Sequence, residues 1–258
     1  MIQKSDIADF IANGHKKFIP HLSIDCTIFG YHENQLKVLL IKWKDVEGWC
    51  LPGGKIGQSE SINEAAQRIL TERTGLTNVF LQQYFTFGET ERMTNAKNEH
   101  ILKESWFYKE AKGSWLDVRT VSLGYYSLIE FSKAIPKPDE FSSECLWWDI
   151  QKLPLLLFDH AQMINKALQT IRSQISYQPV GLNLLPDKFT LPELQKLYET
   201  ILDKKVDRRN FQKKILSLGI IKSLEQRRKI GPHRSPGLYR FDRIKYKRAL
   251  SGSKGQGF

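Results

Sequence analysis

Cysteine is scarce in this chain: three residues, Cys26, Cys50 and Cys145, and no C-x-x-C pair. An odd, scattered set argues against a disulfide framework or a cysteine metal knot and reads as reduced core thiols. Long hydrophobic runs are missing too. Mean hydropathy is −0.41, and no run reaches the length of about 18 apolar residues that a membrane helix needs. The first residues mix charged and apolar types without the apolar run of a signal peptide, so the chain is read as cytoplasmic, with no membrane partner. The six histidines, His100 among them, form no metal-spaced cluster, and no internal repeat is present.

Acid is what the last third lacks. The 258 residues carry 39 Lys and Arg against 28 Asp and Glu, a net charge of +11. Residues 1–180 hold 20 cations and 21 anions, whereas residues 181–258 hold 19 and 7. The positive excess therefore sits in one terminal module, which points to two modules with different partners. A basic module favours nucleic acid or another anionic surface. Apolar residues make up 41%, enough for a core and too many for a disordered tail protein.

The elements follow from periodicity. Residues 22–30 alternate Leu22, Ile24, Cys26 and Ile28 with polar neighbours, and 36–43 continue after the turn at Glu33-Asn34, so a hairpin is expected. Trp49-Cys50-Leu51-Pro52-Gly53-Gly54 reads as a breaker-rich loop. Ser61 and Glu64 have capping-box spacing, and Gly75 closes the helix that they open. Strands are expected at 79–88, 118–131 and 144–150, with 89–115 as a long loop or ragged hairpin extension. Asp159 is placed to cap a helix over 159–177. Beyond it, Thr190 and Glu193 form a second capping box, and Leu191, Leu194, Leu197, Tyr198 and Ile201 give an apolar stripe. Asp207 can cap a further helix at 208–218, followed by two short strands at 220–224 and 238–242 around a basic arm.

Two helices followed by a basic two-stranded arm describe a winged helix-turn-helix. Phe211, Ile215 and Leu218 share one face of the second helix, with Arg208, Arg209, Asn210, Lys213 and Lys214 off that stripe. Arginine and asparagine read base edges, and lysine finds phosphate. Arg227, Arg228, Lys229 and Arg234 would form the wing. These nine residues are the expected contacts to double-stranded operator DNA. RNA is the weaker reading, because no aromatic stacking platform lies among them.

Residues 54–76 resemble the Nudix signature G-x5-E-x7-R-E-U-x-E-E-x-G-U, in which U is a bulky aliphatic. Gly54, Glu60, Arg68, Leu70, Glu72, Gly75 and Leu76 match. The resemblance implies an α/β/α sandwich with a strand–loop–helix unit carrying the motif. Two positions depart from it. The glutamates that gather Mg²⁺ in Nudix hydrolases stand here as Ile69, Glu72 and Arg73, neighbours on one helix face. One carboxylate beside a guanidinium gives magnesium little to hold. The expectation is a cleft without catalytic residues, metal or cofactor, which binds a ligand without cutting it. Its expected effector-binding residues are Trp49, Gly53, Gly54, Glu72, Arg73 and Arg119. The competing reading is a Mg²⁺-dependent hydrolase of nucleoside diphosphate derivatives such as ADP-ribose, with replacement ligands from Glu89, Glu91 and Asp117. A protein-interaction module is a third.

A degenerate Nudix domain followed by a winged helix resembles the Nudix-related transcriptional regulators of the NrtR type. That resemblance implies an α+β chain with a sensing domain at 1–178, including a linker helix at 159–177, and a DNA-binding domain at 179–258. It further implies a homodimer whose operator affinity answers to a small-molecule effector: ADP-ribose, a related nucleotide, or a sugar such as arabinose.

Overall fold

A computed structural model of the chain describes residues 4–77, 79–92, 96–131, 135–139, 141–175, 182, 184–228 and 235–246. The chain divides into two compact units. One comprises Met1–Phe29, Lys37–Ser127 and Ala134–Ala167; the other comprises Gly30–Leu36, Leu128–Lys133 and Leu168–Phe258. The boundary read at 178 falls outside the described residues, and the compact units part earlier, at Ala167.

The first unit opens on α1 (Lys4–Asn13) and a 3₁₀ turn, Gly14–Lys16, which the sequence reading did not distinguish. Phe10 and Phe18 close around Trp115, whose indole N–H donates to the Phe10 carbonyl at 3.1 Å. Next come β1 (Phe18–His32), β2 (Gln35–Trp43), β3 (Gly53–Gly57), α2 (Ile62–Thr74) and β4 (Gln82–Phe87). Then follow α3 (Ala96–Glu104), α4 (Trp106–Ala111), β5 (Val121–Glu130), β6 (Ser142–Asp149) and α5 (His160–Gln174). The strands make one sheet in the order β4-β5-β1-β2-β6, with β3 antiparallel to β1. Residues 24 to 30 of β1 are buried without interruption, as in a strand covered on both faces.

Three expectations change here. Residues 89–115 are not a loop: they hold α3 and α4, each too short to display a clean helical period. Ser105 caps α4 through the Tyr108 amide, and its hydroxyl donates to Asp45 at 2.8 Å. The glycine-rich stretch that read as loop forms β3 from Gly53 onward, paired to β1 with Gly53 opposite Asp25. Asp159 does not cap α5 with its side chain; the carboxylate accepts from Arg92 instead.

The second unit contains β7 (Phe189–Thr190), α6 (Leu191–Leu202), α7 (Arg208–Ser217), β8 (Ile221–Arg227) and β9 (Gly237–Phe241), with the strands ordered β7-β9-β8. The helix–helix–wing order expected from sequence is present. The Thr190 capping box starts α6, and Asp207 caps α7 by accepting from the Asn210 amide. Tyr198 of α6 meets Phe211 of α7 edge to face at 5.1 Å, and Ile215 and Leu197 are buried beside them in sequence-predicted positions. The unit also contains the β1–β2 tip. His32 stacks on Phe131 at 4.4 Å, and the Thr200 hydroxyl lies 3.3 Å from the Asn34 carbonyl. Among the described residues no helix is long and apolar enough to cross a membrane.

Candidate functional site

The glycine loop is locked to α2 by one ion pair. Glu60 Oε1 accepts from Arg68 Nη2 at 2.6 Å and from the Gly57 amide at 2.6 Å, and Glu60 Oε2 accepts from Arg68 Nε at 2.9 Å. The guanidinium hydrogen bond holds the Glu60 carboxyl below the usual carboxylate range. Arg68 also donates to the Lys55 carbonyl at 2.9 Å, which ties β3 and the turn to α2.

The positions that depart from the motif are all engaged. Ile69 is 1% exposed. It packs under Gly54 so closely that a Cβ there would lie 3.1 Å from its Cγ1. Arg73 donates through Nε to the Gly53 carbonyl at 3.0 Å, pairs with Asp139, and lies over the Phe141 ring at 5.1 Å. Glu72 is 56% exposed at its side chain and pairs with Arg68 at 2.9 Å. Of the expected effector-binding residues, Gly53, Gly54 and Arg73 therefore meet, with Glu72 nearby on α2. Trp49 and Arg119 are engaged with other partners. Trp49 is 8% exposed, edge-on to Trp148 at 5.1 Å, and its backbone bonds Leu155 and Leu157. The Arg119 guanidinium donates to the Gly88 carbonyl at 2.9 Å. Among the described residues no group of three or more His, Cys, Asp or Glu side chains is arranged to hold a metal ion.

Behind the glycine loop lies a buried polar cluster that sequence reasoning missed. Arg92 meets Asp159 with two parallel bonds, Nε to Oδ2 at 3.0 Å and Nη2 to Oδ1 at 2.9 Å. The same Nη2 lies 3.6 Å from Asp25 Oδ2, which accepts from the Ser122 hydroxyl at 2.5 Å. A Cβ on Gly53 would lie 2.1 Å from Asp25 Oδ1, so any side chain there must displace that carboxylate. His160 Nδ1 accepts from the Leu51 amide at 2.9 Å, which leaves the ring proton on Nε2, 3.6 Å from Asp25 Oδ1. Burial pushes the imidazole pKa down, which keeps the ring neutral. Lys55 donates to Thr120 Oγ1 at 3.0 Å and to the Pro20 carbonyl, and burial lowers its ammonium to about 8. The start of α5 and the residue before it thus grip the loop twice: at Leu51 through His160, and at Gly53 through Asp159, Arg92 and Asp25. The sequence offered one signal for this, an aspartate and an arginine in apolar or featureless surroundings, which only the packing could connect.

In the second unit Arg208, Arg209, Asn210, Lys213 and Lys214 are all exposed on α7, and Arg227 is exposed at the end of β8. Arg228, expected as a wing contact, is engaged within the unit. It pairs with Glu193, the capping residue of α6, and donates to the Lys188 carbonyl at 3.0 Å. Lys229 and Arg234 lie outside the described residues. Arg240, exposed on β9 opposite Lys222, is a cation that the sequence reading left out. Lys222 itself pairs with Asp242 at 2.8 Å, and that hydrogen bond draws the Asp242 carboxyl down.

Known proteins align with both units. The NUDIX domain family matches residues 20–168, and the NrtR DNA-binding winged helix domain matches residues 181–241. An ADPR-responsive transcriptional repressor of Acinetobacter baylyi is 30% identical over 229 residues, which cover 86% of this chain and 82% of that protein. The crystal structure of Shewanella oneidensis NrtR complexed with a 27mer DNA superposes with a TM-score of 0.67 at 26% identity, covering 88% of this chain and 95% of the other. A MutT/nudix family protein from Enterococcus faecalis shares the fold, with a TM-score of 0.64 at 20% identity over 94% of this chain and 100% of the other.

Proposed function

The chain belongs to the NrtR-type family of Nudix-related transcriptional regulators, and from that premise we propose that it is a ligand-controlled repressor whose Nudix unit reads a small molecule without hydrolysing it. The observation that carries the second half is the state of the motif helix. Magnesium needs hard oxygen ligands in near-octahedral array. At this site Ile69 is packed beneath Gly54, Arg73 is bound to Gly53 and Asp139, and the remaining carboxylate, Glu72, is paired with Arg68. These residues do not fit the metal, and no hydrolytic step is assigned to them.

The effector class taken for this chain is ADP-ribose, after the ligand named for the Acinetobacter relative. Operator DNA is taken up by α7 and the wing, with Arg208, Arg209, Asn210, Lys213, Lys214 and Arg227 as the contacts. The chain acts as a homodimer in the cytoplasm, with two half-sites one helical turn or a multiple apart, about 34–36 Å per turn. The signal travels along α5. Its start and the residue before it hold the glycine loop through His160 and Asp159, and its second half, from Leu168, belongs to the second unit. Linkage then requires that ADP-ribose and DNA change each other's affinity by one factor.

The test is a titration of full-length protein onto a fluorescent duplex from the region upstream of its own gene, with and without ADP-ribose. Operator affinity falls when the ligand is present, and log affinity falls against log salt with a slope of about −0.9 per phosphate neutralised. A flat salt response removes the DNA assignment. Unchanged affinity at saturating ligand removes ADP-ribose as the effector.

A further inference from the structure

The burial pattern of α7 divides its polar residues more finely than their charge does. Phe211 and Ile215 are buried and fix the side of α7 that faces the core of its unit. At 100° per residue the opposite side carries Lys213 at its centre, flanked by Arg209 and Leu216 on one side and by Ser217 and Asn210 on the other; Arg209, Lys213 and Leu216 are spaced i, i+4 and i+7. All three are exposed, and Leu216 retains 48% of its surface. Arg208 lies beside the buried stripe and Lys214 at its flank, and both are exposed. Gln212, half-buried, stands at the opposite flank from Lys214. Ser217, also outward, donates its hydroxyl to the Lys214 carbonyl at 2.8 Å.

Leu216 is the unusual member of that outward stripe. If α7 enters the major groove, a rigid helix carries Leu216 in with Arg209 and Lys213. Leucine has no donor or acceptor to offer a base edge or a phosphate. The apolar group that the major-groove edge presents is the C5 methyl of thymine. Arginine on the same stripe matches the paired acceptors of guanine. The separation of Arg209 and Leu216 along the axis is seven residues, about 10.5 Å at 1.5 Å each, so the two side chains reach different base pairs of one half-site.

We propose that Leu216 is a specificity-determining residue of α7 that reads a thymine methyl in each operator half-site, at a different base pair from a guanine read by Arg209. This rests on the DNA-binding reading above and adds to it a residue and a base that charge alone does not indicate. An exposed leucine elsewhere on a surface would need no account. Here it shares a helix face with the cations that face the DNA.

Removing one methyl from the DNA tests the idea with little other disturbance. Duplexes are recovered by in vitro selection with the full-length wild-type chain. They are then remade with deoxyuridine replacing one thymine at a time, and binding is measured by anisotropy. One thymine per half-site should lose about 4-fold in affinity as uracil, the worth of about one buried methyl group. Leu216→Ala should bind the thymine and uracil duplexes equally, with its salt slope and thermal midpoint unchanged. Its own selected duplexes should keep the guanine and lose the thymine preference. If every uracil duplex binds like its thymine parent, or Leu216→Ala still prefers the methyl, the proposal fails while DNA binding stands. If selection recovers no duplex at all, the DNA-binding reading fails and takes the proposal with it.

Discussion

Arg92→Met should destabilise the first unit far more than loss of a surface arginine. The side chains of Arg92, Asp159 and Asp25 are 3%, 9% and 11% exposed, so the pair belongs to the buried class. Exposed ion pairs contribute about 0–1 kcal/mol, but removing one partner of a buried pair costs about 3–5 kcal/mol because the other charge is left without compensation. With a urea slope of about 2 kcal/mol/M, that is a midpoint shift of roughly 2 M. All six tryptophans, from Trp43 to Trp148, lie in the first unit, so intrinsic fluorescence follows that unit in the full-length chain. The paired substitution Arg92→Met with Asp159→Asn discriminates further. It removes the orphaned charge, leaving Asp25 with its Ser122 donor. The two changes should therefore be non-additive, with a coupling energy of about 2–3 kcal/mol. A shift below about 0.5 M for Arg92→Met, or simple additivity in the pair, would refute the claim that these groups form one buried unit.

Other consequences are open to measurement. His160 has its folded pKa below the unfolded value of about 6.5, so the unfolded chain takes up a proton that the fold resists. Stability of the first unit should therefore fall as pH drops through about 6.5 and below. His160→Asn, which keeps an acceptor for the Leu51 amide, should give a flatter profile in urea titrations at several pH values. Gly53→Ala would set a methyl 2.1 Å from Asp25 Oδ1 and 3.0 Å from the Ile24 carbonyl. It should cost about 1–3 kcal/mol by the same fluorescence assay. Arg227→Ala should reduce the salt slope of DNA binding by about 0.9. Arg228→Ala should leave that slope unchanged, because its charge is already met by Glu193.

The helices were the most legible part of the fold. Ser61, Glu64 and Gly75, and later Thr190 and Glu193, act through neighbours three or four residues away, so local spacing was enough to find them. The Glu60–Arg68 lock was legible for a similar reason, since both ends fall within one motif. The buried cluster was not. Asp25, Arg92 and Asp159 lie 67 residues apart or more where they pair, and no local period links them. Asp159 also mimicked a helix cap, and a capping pattern cannot distinguish a carboxylate that bonds its own helix from one claimed by a distant arginine. Arg228 shows the same limit: its partner, Glu193, comes from another helix, 35 residues away in sequence. The stretch 89–115 misled because, among the described side chains of its two short helices, those buried are scattered, such as Leu102 and Ala111.

The claim at the centre of this account is that the Nudix unit reads its ligand and does not cut it. Full-length protein incubated with ADP-ribose and Mg²⁺, followed by chromatography of the nucleotide and operator binding in the same sample, tests both parts together. The account predicts intact ADP-ribose and weakened operator binding. Release of AMP and ribose phosphate at a rate that depends on Mg²⁺ and enzyme concentration would contradict it.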